Sequence, residues 1–517
     1  MAKKNKNELE RGAGILLPVS SLPSSYGIGT FGREAYRFID QLVLARQKYW
    51  QVLPIGPTSF GDSPYQAFSA FAGNPYFIDL EILIEEGLLT YDEINSFDWG
   101  HDPQYVDYEK IYNARYVVLK MAFERSSHKR TKAYKTFCDE NEFWLEDYSL
   151  YMAVKETFDN VEWLKWDEDI RFREPEAVER YSKKLKKEID FWRFVQFKFY
   201  EQWRKLKNYA NDNGIKVIGD VPLYVALDSA DVWAHSELFE LDERKKPINI
   251  AGVPPDAFSA TGQRWGNPLY DWKKMEEDGF SWWYKRMKSS AELYDVTRID
   301  HFIGIVRYFS IPVECETAEK GVYIKGPGKK LTDVIDKAMG DKQIIAEDLG
   351  IVVPAVEKLM AQTGYPGMKI LEFAFDIGCN NEYLPHNYSN SNQVVYGGTH
   401  DNETLIGYYG SKQPEELKYA YEYLRATNIW ELVDCIMRVA YGCNLNAAIF
   451  QMQDILMLDN SARMNTPSEL GNNWKWRMTT DSFREEHIKK LESYACIYAR
   501  CDIEDLTKED ASFGEEM

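Results

Sequence analysis

Cysteine is scarce and unpatterned: seven in 517 residues, at positions 138, 315, 379, 435, 443, 496 and 501, never in a C-x-x-C spacing. An odd, scattered set excludes a disulfide framework and reads as the reduced thiols of a cytoplasmic protein. The seven histidines contain no H-x-x-x-H pair, so no zinc site is expected. No apolar run approaches the ~18 residues that span a bilayer. The start, Met1-Ala2-Lys3-Lys4-Asn5-Lys6, leads into polar residues rather than the apolar core of a secretory signal. No fixed-period repeat is present, which excludes a solenoid or propeller. Positive charge is in deficit, with 62 Lys and Arg against 82 Asp and Glu, a net charge of −20. Such a field repels phosphate backbones and anionic bilayers, so neither nucleic acid nor membrane is expected as a partner. A neutral ligand suits it better.

Aromatic residues are plentiful: 15 Trp, 34 Tyr and 26 Phe. Most must be core. Flat sugar faces edged with hydroxyls also suit aromatic side chains with polar tips, so the count permits a carbohydrate ligand without establishing one.

Eight short β-rich runs alternate with helical patterns: Gly14–Val19, Tyr49–Leu53, Ile215–Asp220, Asp295–Asp300, Gln343–Glu347, Met368–Phe373, Val394–Thr399 and Ala447–Met452. Several are continuously apolar, as in parallel strands covered on both faces. Between them, Phe191, Val195, Phe199, Trp203, Leu206 and Ala210 recur at helical spacing until Asn213-Gly214 stops the helix. This is the pattern of repeated βα units, and the expectation is an α/β fold, a (β/α)₈ barrel. The long gaps between runs cannot be structureless. Residues 1–60 are read as the first part of the barrel, 61–211 as a mostly helical insertion, and 212–222 as the third strand. Residues 223–290 are read as a second, turn-rich insertion, 291–501 as the rest of the barrel, and 502–517 as a solvated acidic tail. No separate β domain is expected after the barrel. Insertions of this kind crown the C-terminal face, where barrels carry their chemistry.

The string Gly27-Ile28-Gly29-Thr30-Phe31-Gly32 matches G-x-G-x-x-G. The preceding strand ends near Val19, Pro23 intervenes, and the next strand ends Val52-Leu53-Pro54 without an acid. A glycine-rich βα loop is therefore a better reading than a dinucleotide site. Three other strand ends carry acids: Arg298-Ile299-Asp300-His301, Ala346-Glu347-Asp348 and Thr399-His400-Asp401-Asn402. One such acid is usually a helix cap or half of a salt bridge. Three at one barrel rim, with Arg298, His301 and His400 beside them, are costly to bury unless paired or used. Retaining glycosyl transfer needs such a set: an ionised nucleophile, a protonated acid that later acts as base, and groups that stabilise an oxocarbenium-like state.

These strand ends resemble those of the 4-α-glucanotransferases, the amylomaltase or disproportionating family (glycoside hydrolase family 77) of the α-amylase clan. The resemblance extends through Leu22–Gly29, Ser63-Pro64-Tyr65-Gln66, Gly219–Val225, Gly252–Ser259 with Gly266-Asn267-Pro268, and Asn472–Arg477. It implies Asp300 as nucleophile, Glu347 as acid/base and Asp401 as transition-state stabiliser. It further implies that Asp220, Arg298, His301 and His400 support the sugar, and that Tyr65, Asp256 and Trp265 contact substrate. Donor and acceptor would be maltooligosaccharides or α-1,4-glucans, with no metal or other cofactor; the oligomeric state stays open. Asn465-Thr466-Pro467-Ser468-Glu469 departs from the family's Asn-x-Pro-Gly. The same acids would also serve an α-1,4-glucan hydrolase, and a non-catalytic glucan-binding barrel is a further alternative.

Overall fold

The computed structural model describes residues 5–59, 61–255, 259–376, 378–469 and 471–501. The expected acidic tail and Asp256 lie outside the described residues. In chain order the strands are β1 (Gly12–Leu16), β2 (Tyr49–Gln51), β3 (Lys216–Val221), β4 (Asn249–Val253), β5 (Gln263–Pro268) and β6 (Val296–Ile299). They continue with β7 (Arg307–Pro312), β8 (Val322–Lys325), β9 (Gln343–Ala346), β10 (Met368–Ile370), β11 (Val394–Tyr396) and β12 (Ala447–Gln451).

Eight of them pair only in parallel, in the order β10-β11-β12-β1-β2-β3-β6-β9. At the seam between β9 and β10, Ala346 N–H donates to Pro366 O (2.9 Å) and Met368 N–H to Asp348 Oδ1 (2.8 Å). The result is a nearly closed (β/α)₈ barrel. β1 and β12 are buried along their whole length, as strands covered on both faces must be.

Most of the expected runs extend past the ladder. β10 stops at Ile370 and Leu371–Phe373 turns into a 3₁₀ helix; β6 and β9 stop at Ile299 and Ala346, one residue before an acid. At the rim the chain bends away from its neighbours while its residues stay apolar, so the pattern continues after the pairing ends. The glycines of the G-x-G-x-x-G string serve packing. A Cβ on Gly29 would lie 1.9 Å from Val19 O, and Gly32 caps the helix Arg33–Leu44.

Among the described residues seven α-helices lie between β2 and β3, the longest being Lys132–Thr157 and Lys186–Asp212. In the second, Phe191, Val195, Phe199, Trp203, Leu206 and Ala210 are buried. It ends where Gly214 takes a φ of 77°, and Ile215 N–H returns to Ala210 O (2.8 Å).

The stretch read as turn-rich instead contains β4 and β5, which join β7 and β8 in an antiparallel sheet of order β5-β4-β7-β8. Its strands hide from sequence reading for two reasons. β8 is exposed at every residue, so nothing alternates, and β5 (Gln-Arg-Trp-Gly-Asn-Pro) carries the Gly and Pro that mark turns. After β12 the described residues contain helices and loops but no strand, ending with the helix Glu485–Ile497. Among the described residues no helix is long and apolar enough to cross a membrane.

The opposite end of the barrel is tied by Arg500. It is fully buried and donates to the carbonyls of Gly12 (2.8 Å), Asn446 (3.0 Å), Tyr441 (2.7 Å), Ala440 (2.9 Å) and Leu445 (3.1 Å). One side chain thus joins the entrances of β1 and β12 to the end of the helix Ile429–Gly442.

Candidate active site

The C-terminal ends of β3, β6 and β9 are neighbours, so acids at their exits meet. Asp220 lies on β3, and Asp300 and Glu347 directly follow β6 and β9. Arg298 stands two residues before Asp300 on the same strand face, and its side chain is only 4% exposed. Its guanidinium reaches Asp220 Oδ2 at 2.6 Å, Asp300 Oδ1 at 3.1 Å and Glu347 Oε2 at 3.9 Å.

One cation cannot neutralise three carboxylates, one buried and two partly buried, so one of them is expected to keep its proton. Glu347 is best placed to do so. Burial pushes it up to about 7, with the charge of Asp300 adding and Arg298 opposing. Its Oε2 accepts the His301 N–H at 2.6 Å. His301 makes that contact from a left-handed conformation (φ 50°), a strain that non-glycine residues hold only where the surroundings impose it. Its ring meets Trp265 edge-on at 4.9 Å, and burial pulls it down to about 4, so it faces the cleft neutral. Burial also raises Asp220, to about 6, against the pull of Arg298. Its Oδ2 accepts Tyr65 Oη–H at 2.9 Å as well, while Oδ1 has no partner among the described residues.

Asp401 comes from the β11 exit. Nearly half its side chain (47%) faces the open cleft. Desolvation by the cleft walls opposes its charge, but His400 (Nε2 to Oδ2, 3.3 Å) and Asn465 (Nδ2 to Oδ1, 2.6 Å) outweigh that and hold it well below the usual carboxylate range. The same ion pair raises His400 despite its burial. Tyr65 stacks on the His400 ring at 5.0 Å, and Trp474 leans on both.

Nine of the ten residues singled out in the sequence therefore gather at one rim; the tenth, Asp256, lies outside the described residues. Sequence reasoning gave no part to Asn465, which holds Asp401, or to Arg463, which donates to the Asp401 carbonyl at 2.9 Å. It gave none to Gln66 either, which ties the Tyr65 loop to Trp265 O (3.2 Å) and Asn267 Oδ1 (2.9 Å). Asn465 opened the segment that departs from the family pattern, and that was its only signal. Ser468, where the pattern has glycine, takes a φ of 70°. Among the described residues no group of three or more His, Cys, Asp or Glu is arranged to hold a metal ion.

A (β/α)₈ barrel with clustered carboxyls and aromatic side chains at its C-terminal mouth brings together the groups that a glycoside-processing enzyme uses. A family model described as 4-alpha-glucanotransferase matches residues 17–482. The 4-alpha-glucanotransferase of Clostridium butyricum is 47% identical over 488 residues, 94% of this chain and 100% of that one. The Thermus thermophilus protein of the same description is 44% identical, covering 94% and 99%. The amylomaltase from Streptococcus agalactiae, solved in complex with acarbose, superposes with a TM-score of 0.92 at 42% identity, covering 95% of this chain and 100% of that one. The chain belongs to the 4-alpha-glucanotransferase family. An amylomaltase from Corynebacterium glutamicum shares the fold at 19% identity, with a TM-score of 0.78 and coverage of 94% and 75%.

Proposed function

We propose that Asp300, Glu347 and Asp401 carry the retaining transfer of this enzyme, moving an α-1,4-glucan segment from a maltooligosaccharide donor to the 4-hydroxyl of an acceptor glucan or glucose. The observation that carries the reading is the single guanidinium of Arg298 shared by Asp220, Asp300 and Glu347, with the ionised Asp401 at the same mouth. Arg298 stabilises negative charge on Asp300, which attacks the anomeric carbon. Glu347 donates its proton to the departing 4-oxygen, and a glucosyl–Asp300 ester forms. Loss of the Asp300 charge in that ester removes a cause of Glu347's raised pKa, so the same group becomes a competent base. It takes the proton of the incoming 4-hydroxyl, the new bond forms, and both carboxyls return to their starting states. Asp401, fixed by His400 and Asn465, bonds sugar hydroxyls more strongly as positive charge develops on the ring. Tyr65, Trp265 and Trp474 supply apolar walls that hold the acceptor and displace water. Asp256 belongs to the same proposal on its motif alone. The similar amylomaltase's complex with acarbose supports an oligosaccharide ligand for this mouth. A cytoplasmic location is supported by seven free thiols.

The test is incubation with maltotriose. Transfer holds the number of reducing ends constant while glucose and longer glucans appear; a steady rise in reducing ends makes the protein a hydrolase instead. Asp300→Asn, which cannot form the ester, is expected to lose on the order of 10⁴-fold or more in kcat. Undiminished turnover would overturn the assignment. Because Glu347 must start protonated, kcat/KM is expected to fall as pH rises through about 7.

A further inference from the structure

Behind the catalytic mouth, the turn that carries His400 and Asp401 is held from below. Thr399 donates both its N–H and its Oγ–H to Asn402 Oδ1, each at 2.9 Å, so the Asn402 side chain closes a small loop under the two residues. The Asn402 amide then donates to Glu372 Oε1 at 2.8 Å. Asn402 and Glu372 are 7% and 3% exposed. Glu372 follows β10, whose neighbour β11 leads into the turn, and Glu372 N–H bonds Gly397 O at 3.0 Å. Glu372 makes no ion pair closer than 4 Å, and its Oε2 has no partner among the described residues.

The mechanism above does not use this carboxyl. A buried acid without a paired cation, one oxygen committed to a neutral amide, is expensive if charged and inexpensive if protonated. Its surroundings point the same way. The ionisable neighbours facing it are Asp454 and Glu403, Tyr408 and Tyr409 on the helix Leu405–Ser411, and the cation Arg463. Asp454 is buried as well. Its Oδ1 caps that helix through Leu405 N–H (2.7 Å), and its Oδ2 is likewise without a partner.

We propose that Glu372 is a positioning residue, whose carboxyl oxygen anchors Asn402 and through it the turn that aims Asp401 at the sugar. The inference rests on the role given to Asp401 above. Burial, with Asp454 and Glu403 adding and the Asn402 hydrogen bond and Arg463 opposing, pushes Glu372 up to about 8, so it is neutral below that pH. Ionisation would set a bare charge against Asp454 and Glu403 under the turn. Asn402 keeps its acceptor, and the repulsion from Asp454 and Glu403 displaces that acceptor, and with it the turn that carries Asp401.

Two variants separate this from general packing. Glu372→Gln keeps the acceptor oxygen and cannot ionise; Glu372→Met fills the space with no acceptor. Disproportionation of maltotriose is followed between about pH 5.5 and 9.5, with kcat/KM reporting ionisations of the free enzyme. In the parent protein Glu347 and Glu372 both titrate on the alkaline side, so log kcat/KM is expected to steepen beyond a slope of about −1 above pH ~8. Glu372→Gln is expected to keep kcat within about threefold near pH 6.5 and to hold a slope of about −1 throughout. Glu372→Met is expected to lose about tenfold or more in kcat with KM within about twofold, the mark of an interaction felt in the transition state. Circular dichroism and thermal melts show whether the Met variant folds; if it does not, the Gln profile decides alone. A Gln variant as steep as the parent, or a folded Met variant with parental kcat, overturns the proposal. Asp401→Asn run alongside tells the two readings apart. If it keeps parental kcat, the role of Asp401 fails. If it is inactive while the Gln variant stays as steep as the parent, only the role of Glu372 fails.

Discussion

The two ends of the barrel each bury an arginine, and the partners differ. At the C-terminal mouth Arg298 faces carboxyls: Asp220, Asp300 and Glu347. At the opposite end Arg500 donates chiefly to neutral backbone carbonyls, those of Gly12, Ala440, Tyr441, Cys443, Leu445 and Asn446, and also meets the Cys443 thiol (3.8 Å). The electrostatic consequences are opposite. Carboxyl neighbours raise Arg298 well above the ordinary arginine value, whereas burial without a counter-charge pulls Arg500 down to about 10. Carbonyl dipoles stabilise a cation by geometry alone and leave nothing that can react. Carboxyls crowded on one cation hold charge and protons in competition, which is the raw material of acid/base chemistry. The chemistry-bearing and stability-bearing ends of a barrel thus differ in what surrounds the same side chain.

The comparison is broken most strongly by Arg298→Leu. It should leave the buried Asp220 and the partly buried Asp300 and Glu347 without their cation, cost about 3–5 kcal/mol in urea unfolding, and abolish transfer activity. Arg500→Leu is the matched variant. Orphaned carbonyls at about 1–3 kcal/mol each predict a lower urea midpoint, while kcat of the folded fraction stays at the parental value. Loss of kcat in folded Arg500→Leu would show that the two ends are coupled.

Asn465→Ala sharpens the comparison at the mouth. Removing a hydrogen bond to a charged group is worth about 1.5–3 kcal/mol. About ten- to 150-fold lower kcat is therefore expected, with Asp401 titrating higher and activity falling off earlier on the acid side. The smallest effect is expected from Ser468→Gly. Serine at φ 70° is strained where glycine is not, so relief is worth up to about 1 kcal/mol, read as a higher melting temperature with activity unchanged.

How much of this was legible differs by region. All eight barrel strands could be found as β-rich runs, several of them continuously apolar, because the barrel covers both faces of its strands. The antiparallel sheet of β4, β5, β7 and β8 could not: β8 is exposed throughout, and β4 pairs with β7 from the other side of β6 in the chain. Asp300, Glu347 and Asp401 stood out as acids at the ends of apolar runs. Asn465 and Glu372 did not. One is an amide in a loop and the other an acid among many, and their partners Asp401 and Asn402 lie 64 and 30 residues away.

Local patterning by itself determined the barrel strands, the long helix with its glycine stop and the residue types available for sugar chemistry, because these depend on neighbours within a few turns of chain. How far burial and Arg298 shift each carboxyl, which amide holds Asp401 and which arginine meets carboxyls were decided only in the folded molecule. Those properties depend on burial and on charges a few ångströms away, and the chain brings such groups together only when the barrel closes.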